Sequence, residues 1–117
     1  MTTAETILQI KASNAEEVKA KLVMYGKQLA LDNPRKNDRW DIVWAMPVPV
    51  VPQKGCLPCE IVIGNRHTEF QPFVAWHCFG GNSYAWGAYC QTFEGAFECA
   101  MDKMCREIGL NIEREEC

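Results

Sequence analysis

The sequence predicts an α+β fold: an antiparallel sheet of four to five strands with two helices packed on one face, in the order strand, helix, strands, helix. Three observations lead there. Two segments with helical apolar spacing, residues 14–31 and the stretch after Thr92, enclose a series of short strand-like runs. Charge is blocked along the 117 residues: seven Lys or Arg face five Asp or Glu over residues 1–40, and three face seven over 92–117. The intervening residues 41–91 hold only five charges but eight of the twelve aromatics, which marks them as the interior. Third, Gly80, Gly81 and Asn82 stand between two aromatic runs, the clearest hairpin signal in the chain.

The elements follow in order. Residues 5–11 (ETILQIK) are short and rich in Ile and Leu, and they read as a strand. Ser13 to Glu16 has the spacing of a capping box, in which hydroxyl and carboxylate satisfy the free backbone N–H groups of a helix start. The helix of residues 14–31 then presents Val18, Leu22, Tyr25 and Leu29 as its buried face, and Pro34 ends it by forcing the preceding residue out of helical geometry. Residues 33–40 (NPRKNDRW) form a polar loop carrying Arg35, Lys36 and Arg39. The apolar run 41–46 suits a strand covered on both faces, and Pro47, Pro49 and Pro52 place the next segment at an edge or outside the sheet.

Residues 59–64 read as a further strand, followed by the hairpin of residues 70–79 and 83–90. Alternation puts Val74, Trp76 and Cys78 on one face, with Phe73, Ala75, His77 and Phe79 on the other. Thr92 caps the last helix, Phe97, Met101, Met104, Cys105 and Ile108 make its apolar stripe, and Gly109 with Leu110 has the form of a C-terminal cap. Residues 111–117 are then a charged tail to a single globular domain.

Composition narrows the functional classes. At 48% hydrophobic and 23% charged, the chain is of ordinary globular character, which excludes disordered and coiled-coil classes. No run approaches the length of a membrane span, and residues 1–12 lack the pattern of a secretory leader, so the expectation is a cytoplasmic protein with no membrane role and reduced thiols. The net charge of −3 argues against a dedicated duplex binder, whose affinity depends on many phosphate contacts. In element order the helix, three-strand meander and last helix resemble double-stranded RNA-binding domains. Those domains carry a cluster of lysines where this chain has Thr92, Phe93, Glu94 and Gly95.

Chemistry-bearing motifs are sparse. Cys56-Leu57-Pro58-Cys59 has redox spacing, yet redox pairs open a helix and here a strand follows. As zinc ligands Cys56 and Cys59 are weak candidates, because Cys78 and Cys90 sit at opposite ends of the hairpin, on the order of 20 Å apart at 3.3 Å per residue. His77 and Cys78 are strand neighbours pointing to opposite faces, so they form no nucleophile–base pair. No catalytic residues, metal or cofactor are expected.

The aromatic hairpin carries the functional expectation. Trp76, Phe79, Tyr84 and Trp86, with Arg35, Lys36, Arg39 and Trp40, are the expected partner-binding residues. Trp, Tyr and Arg dominate protein-interface energetics, so the leading reading is a small non-catalytic binding module, an inhibitor or adaptor of a macromolecular complex. In size and character it resembles the small accessory proteins that phages and mobile elements use to block host machinery. Self-association into a homodimer falls within the same reading. The alternative is a nucleic-acid binder that stacks unpaired bases on the aromatic face, and a zinc-stabilised or thiol-active protein is the weaker third.

Overall fold

The computed structural model describes residues 15–49 and 57–116, with side chains described at 16–49 and 57–108. The predicted strand at 5–11, Ser13 and Asn14 of the capping box, Pro52 and Cys56 lie outside them. Helix α1 (Ala15–Asp32) leads into a five-stranded antiparallel meander, and helix α2 (Phe93–Glu116) follows it. The strands are β1 (Lys36–Asn37), β2 (Trp40–Pro47), β3 (Cys59–Asn65), β4 (Phe73–Phe79) and β5 (Ser83–Cys90), adjacent in space in the same order as in sequence. The predicted α+β class is therefore the observed one.

Both helices cover one face of the sheet. Leu22 from α1 and Ala96, Phe97, Ala100 and Met104 from α2 pack on Trp44, Met46, Ile61, Ile63 and Ala75 in the main core. A second cluster, Ile42, Ala45, Val62, Val74, Trp76 and Cys78, lies on the opposite face. The β4 alternation read from sequence is thus correct, with Ala75 in one cluster and Val74, Trp76 and Cys78 in the other.

Helix α1 is anchored by a close approach that apolar periodicity does not register. A Cβ at Gly26 would stand 2.0 Å from Nε1 of Trp44, so only glycine lets that indole lie against the helix. There the buried Trp44 N–H donates to the carbonyl of Leu22 at 3.2 Å. The buried positions are consequently Leu22, Gly26 and Ala30, and the predicted face fails at Tyr25, which is 48% exposed. Counting apolar side chains skipped the glycine on which the contact centres.

Other expectations need correction. The polar loop 33–40 contains β1, which pairs Lys36 with Asp41 and Asn37 with Trp40 around a turn where Asp38 has φ 54°. Asp tolerates that left-handed conformation better than most residues. Helix α2 does not stop at Gly109 but continues to Glu116. A helical glycine costs about 1 kcal/mol relative to alanine, too little to end a helix by itself. Strand β2 does include Pro47, and Val48 N–H still donates to the Cys59 carbonyl at 2.9 Å. Since β1 pairs only with Trp40 and Asp41, the proline's missing donor falls where the described residues put no neighbouring strand.

Candidate interaction surface

The hairpin holds the sequence-predicted aromatics, and a bulge decides where each one goes. Cys78 pairs with Tyr84 as the glycine turn requires, with Gly80 and Gly81 at φ 63° and 85°. Further along, Ala75 pairs with Ala88 while His77 pairs with Ala85, so Trp86 and Gly87 together oppose Trp76. Regular pairing would place Cys90 opposite Pro72, whereas the extra residue moves it opposite Phe73. Trp86 adopts φ 54°, a strained conformation for a bulky side chain. Gly87 is needed beside it, because a Cβ there would stand 2.8 Å from Nε1 of Trp76.

This displacement divides the aromatics between two faces. On the face away from the helices, Tyr84, Trp76, Trp40 and Tyr89 form a row with ring-centroid separations of 5.3, 5.3 and 5.8 Å. Trp76 is only 7% exposed, clamped between Gly64 and Gly87, and so belongs to the core of that face. Burial pushes the Tyr84 phenol and the Cys78 thiol above their ordinary pKa values. Tyr89 ends the row at 52% exposed, and the Arg66 guanidinium lies 4.8 Å from the Trp40 ring. Arg39, Trp40, Arg66, Thr68 and Asp38 line a hollow of about 340 Å³ there.

On the helix side Trp86 stands 66% exposed, packed edge-on to His77 at 4.9 Å and Phe79 at 5.7 Å. Helix α2 supports it: Lys103 Nζ donates to the Trp86 carbonyl at 2.6 Å, and Glu107 Oε1 pairs with His77 Nε2 at 3.1 Å. Burial, and then the charge of Lys103, lower the His77 pKa against the opposing pull of Glu107. Leu57, also exposed, lies against the Gly80 turn at the tip of the same hairpin.

The eight predicted residues therefore do not form one site. Trp86 and Phe79 meet on one side, while Trp40, Trp76 and Tyr84 meet on the other. Arg35 joins neither as a free cation. It is mostly buried, pairs with Glu60 of β3 and donates to the Gly81 carbonyl at 3.2 Å, and the Glu60 hydrogen bond holds its pKa above the ordinary value. Lys36 pairs with Asp41, which also meets His67 Nε2 at 2.7 Å; these two contacts lower the Asp41 pKa. Arg39 is exposed beside Trp40. Sequence reasoning left Arg66 out of the site, and its long separation from Trp40 gave no local signal.

Cys59 opens β3, and burial pushes its thiol up to about 11, which disfavours the thiolate that redox or metal chemistry requires. Among the described residues no three His, Cys, Asp or Glu side chains gather closely enough to hold a metal ion. Nor, among them, is any helix long and apolar enough to cross a membrane.

Strand β5 is the outer strand of the described sheet, and its eight residues, SYAWGAYC, include no charge. An edge strand offers unpaired backbone donors and acceptors, which proteins commonly protect with charged side chains, prolines or bulges. Here the bulge is the only such device within the strand, and it turns Trp86 to one side while Tyr89 faces the other. No protein-family model, no curated protein and no solved structure matches this chain.

Proposed function

We propose that this protein is a non-catalytic docking module that binds a protein partner through the β4–β5 hairpin, acting as an inhibitor or adaptor of a macromolecular complex of the kind phages and mobile elements target. The observation that carries this reading is the charge-free edge strand β5, which exposes both Trp86 and Tyr89. An apolar edge can accept a partner strand through main-chain hydrogen bonds, while flanking aromatics supply affinity. Two potentially reactive groups of β4, His77 and Cys78, are committed to packing. His77 is held by Glu107 between Phe79 and Trp86, and the Cys78 thiol is buried on the opposite face.

The test is a tagged pull-down from host lysate with and without nuclease, repeated with Trp86→Ala and Tyr89→Ala. A nuclease-resistant, stoichiometric partner should be lost with Trp86→Ala, since truncating an anchoring Trp costs upwards of about 2 kcal/mol, or roughly 30-fold in affinity. Retention of that partner by both variants would remove the hairpin from this role.

A second reading has its own observation: Arg66 over Trp40, with Arg39 and Tyr89 beside them, offers ring faces and positive charge to an unpaired base. It predicts single-strand binding that falls steeply with salt and is lost in Trp40→Ala. Absence of binding at low salt would eliminate it.

A further inference from the structure

The protein has seven cysteines, and those among the described residues whose state is defined are free thiols. Two of these meet. Cys90 is the last residue of β5, Cys99 lies in the second turn of α2, and their Sγ atoms are 3.7 Å apart in a thiol–thiol hydrogen bond.

The corner between strand and helix builds this approach. The Thr92 hydroxyl accepts the Gly95 N–H at 3.0 Å, so α2 begins immediately after the strand and folds back along it. The strand end lies directly against this turn of the helix: a Cβ at Gly95 would stand 3.7 Å from Cβ of Cys90, at ordinary contact distance. Cys99 is four residues further along α2, above Gly95 on the same helix face. The proximity thus follows from the capped turn between strand and helix.

We propose that Cys90 and Cys99 are a reversible oxidation site, forming a disulfide that fastens the end of edge strand β5 to α2. The bond requires the sulfurs to close from 3.7 Å to about 2.0 Å, by rotation of the two thiols and approach of the corner. The oxidant is a small-molecule disulfide such as oxidised glutathione. Cys99, deprotonated, attacks one of its sulfurs, breaks the S–S bond and releases one glutathione thiol, leaving a mixed disulfide on Cys99. Cys90 then loses its proton and attacks the Cys99 sulfur, expelling the second glutathione thiol. Two protein thiols are oxidised and one glutathione disulfide is reduced to two thiols. Burial and the Cys99 contact push the Cys90 thiol up to about 11, which disfavours its thiolate and leaves the first attack to Cys99; Cys90 closes the bond because its sulfur already lies against that of Cys99.

The test treats the native full-length protein with oxidised glutathione, alkylates the remaining thiols, and maps the unreduced digest by mass spectrometry. The expected result is a peptide linking Cys90 to Cys99, with these two thiols lost to alkylation and recovered after dithiothreitol. In Cys90→Ser the same treatment should stop at a glutathione adduct on Cys99. Full alkylation of Cys90 and Cys99 in the treated wild type, or oxidation that links either of them to a different cysteine, would overturn the proposal. The wild-type map decides the matter even where a serine variant folds poorly.

Discussion

Strands β2 and β5 are each eight residues long, each is bulged, and each presents a tryptophan toward the helix side of the sheet. Their fates differ with their neighbours. Strand β2 lies between β1 and β3 beneath α1, and Trp44 is wholly buried there with its N–H satisfied by Leu22. Among the described residues strand β5 is paired along one side, and Trp86 remains largely exposed. The same residue type thus serves cohesion in one strand and stands in solvent in the other. Fold stability should depend on Trp44 and be nearly indifferent to Trp86.

The largest effect expected from breaking this contrast is at Trp44. Trp44→Ala should lower unfolding free energy by about 3–5 kcal/mol in urea titration, since it leaves a cavity between α1 and the sheet. Gly26→Ala comes next and reverses a general rule. Alanine normally favours a helix over glycine by about 1 kcal/mol, but a Cβ at 2.0 Å from the Trp44 indole should produce a net loss of about 1–3 kcal/mol. A rise in stability in that variant would show that Trp44 can move away without cost.

The support beneath Trp86 is tested by pH. The pKa of His77 is lowered in the folded state, so the unfolded chain binds the proton more readily. Stability should therefore fall as pH drops below about 6.5, the ordinary histidine value, toward the lowered folded value. The groups facing the ring are Glu107 and Lys103 from α2, and His77→Gln should flatten the slope in this window. Asp41, whose folded pKa is lowered, contributes stability that is lost only at more acid pH, below about 4. Denaturant titrations from pH 7.5 to 5 separate the two. The smallest effect on stability is expected for Trp86→Ala, about 1 kcal/mol or less, because its ring is mostly in solvent.

Much of the fold was legible where local chemistry is explicit. The paired glycines at 80 and 81 gave the hairpin and the Cys78–Tyr84 register, and Thr92 gave the start of α2. What escaped depends on contacts distant in sequence. Nothing about Trp86 announces a left-handed conformation, so the bulge and the one-residue shift at Cys90 were not foreseen. The buried face of α1 was misread at Tyr25 because Gly26 supplies a contact through its lack of a side chain. Arg35 resembled a loop cation until Glu60 of β3 met it. For the candidate surface, composition picked out the hairpin and Trp86. Burial alone separates the covered Trp76 from the displayed Trp86 and Tyr89.

The most direct test of the account places a photo-crosslinking amino acid at position 86 and, in a separate protein, at exposed position 24 on α1, each irradiated in host lysate. The account predicts one discrete protein adduct from position 86, absent from position 24 and competed away by unlabelled wild type but not by unlabelled Trp86→Ala. Equal labelling from both positions, or no protein adduct from position 86, would contradict the assignment of β5 as a docking edge.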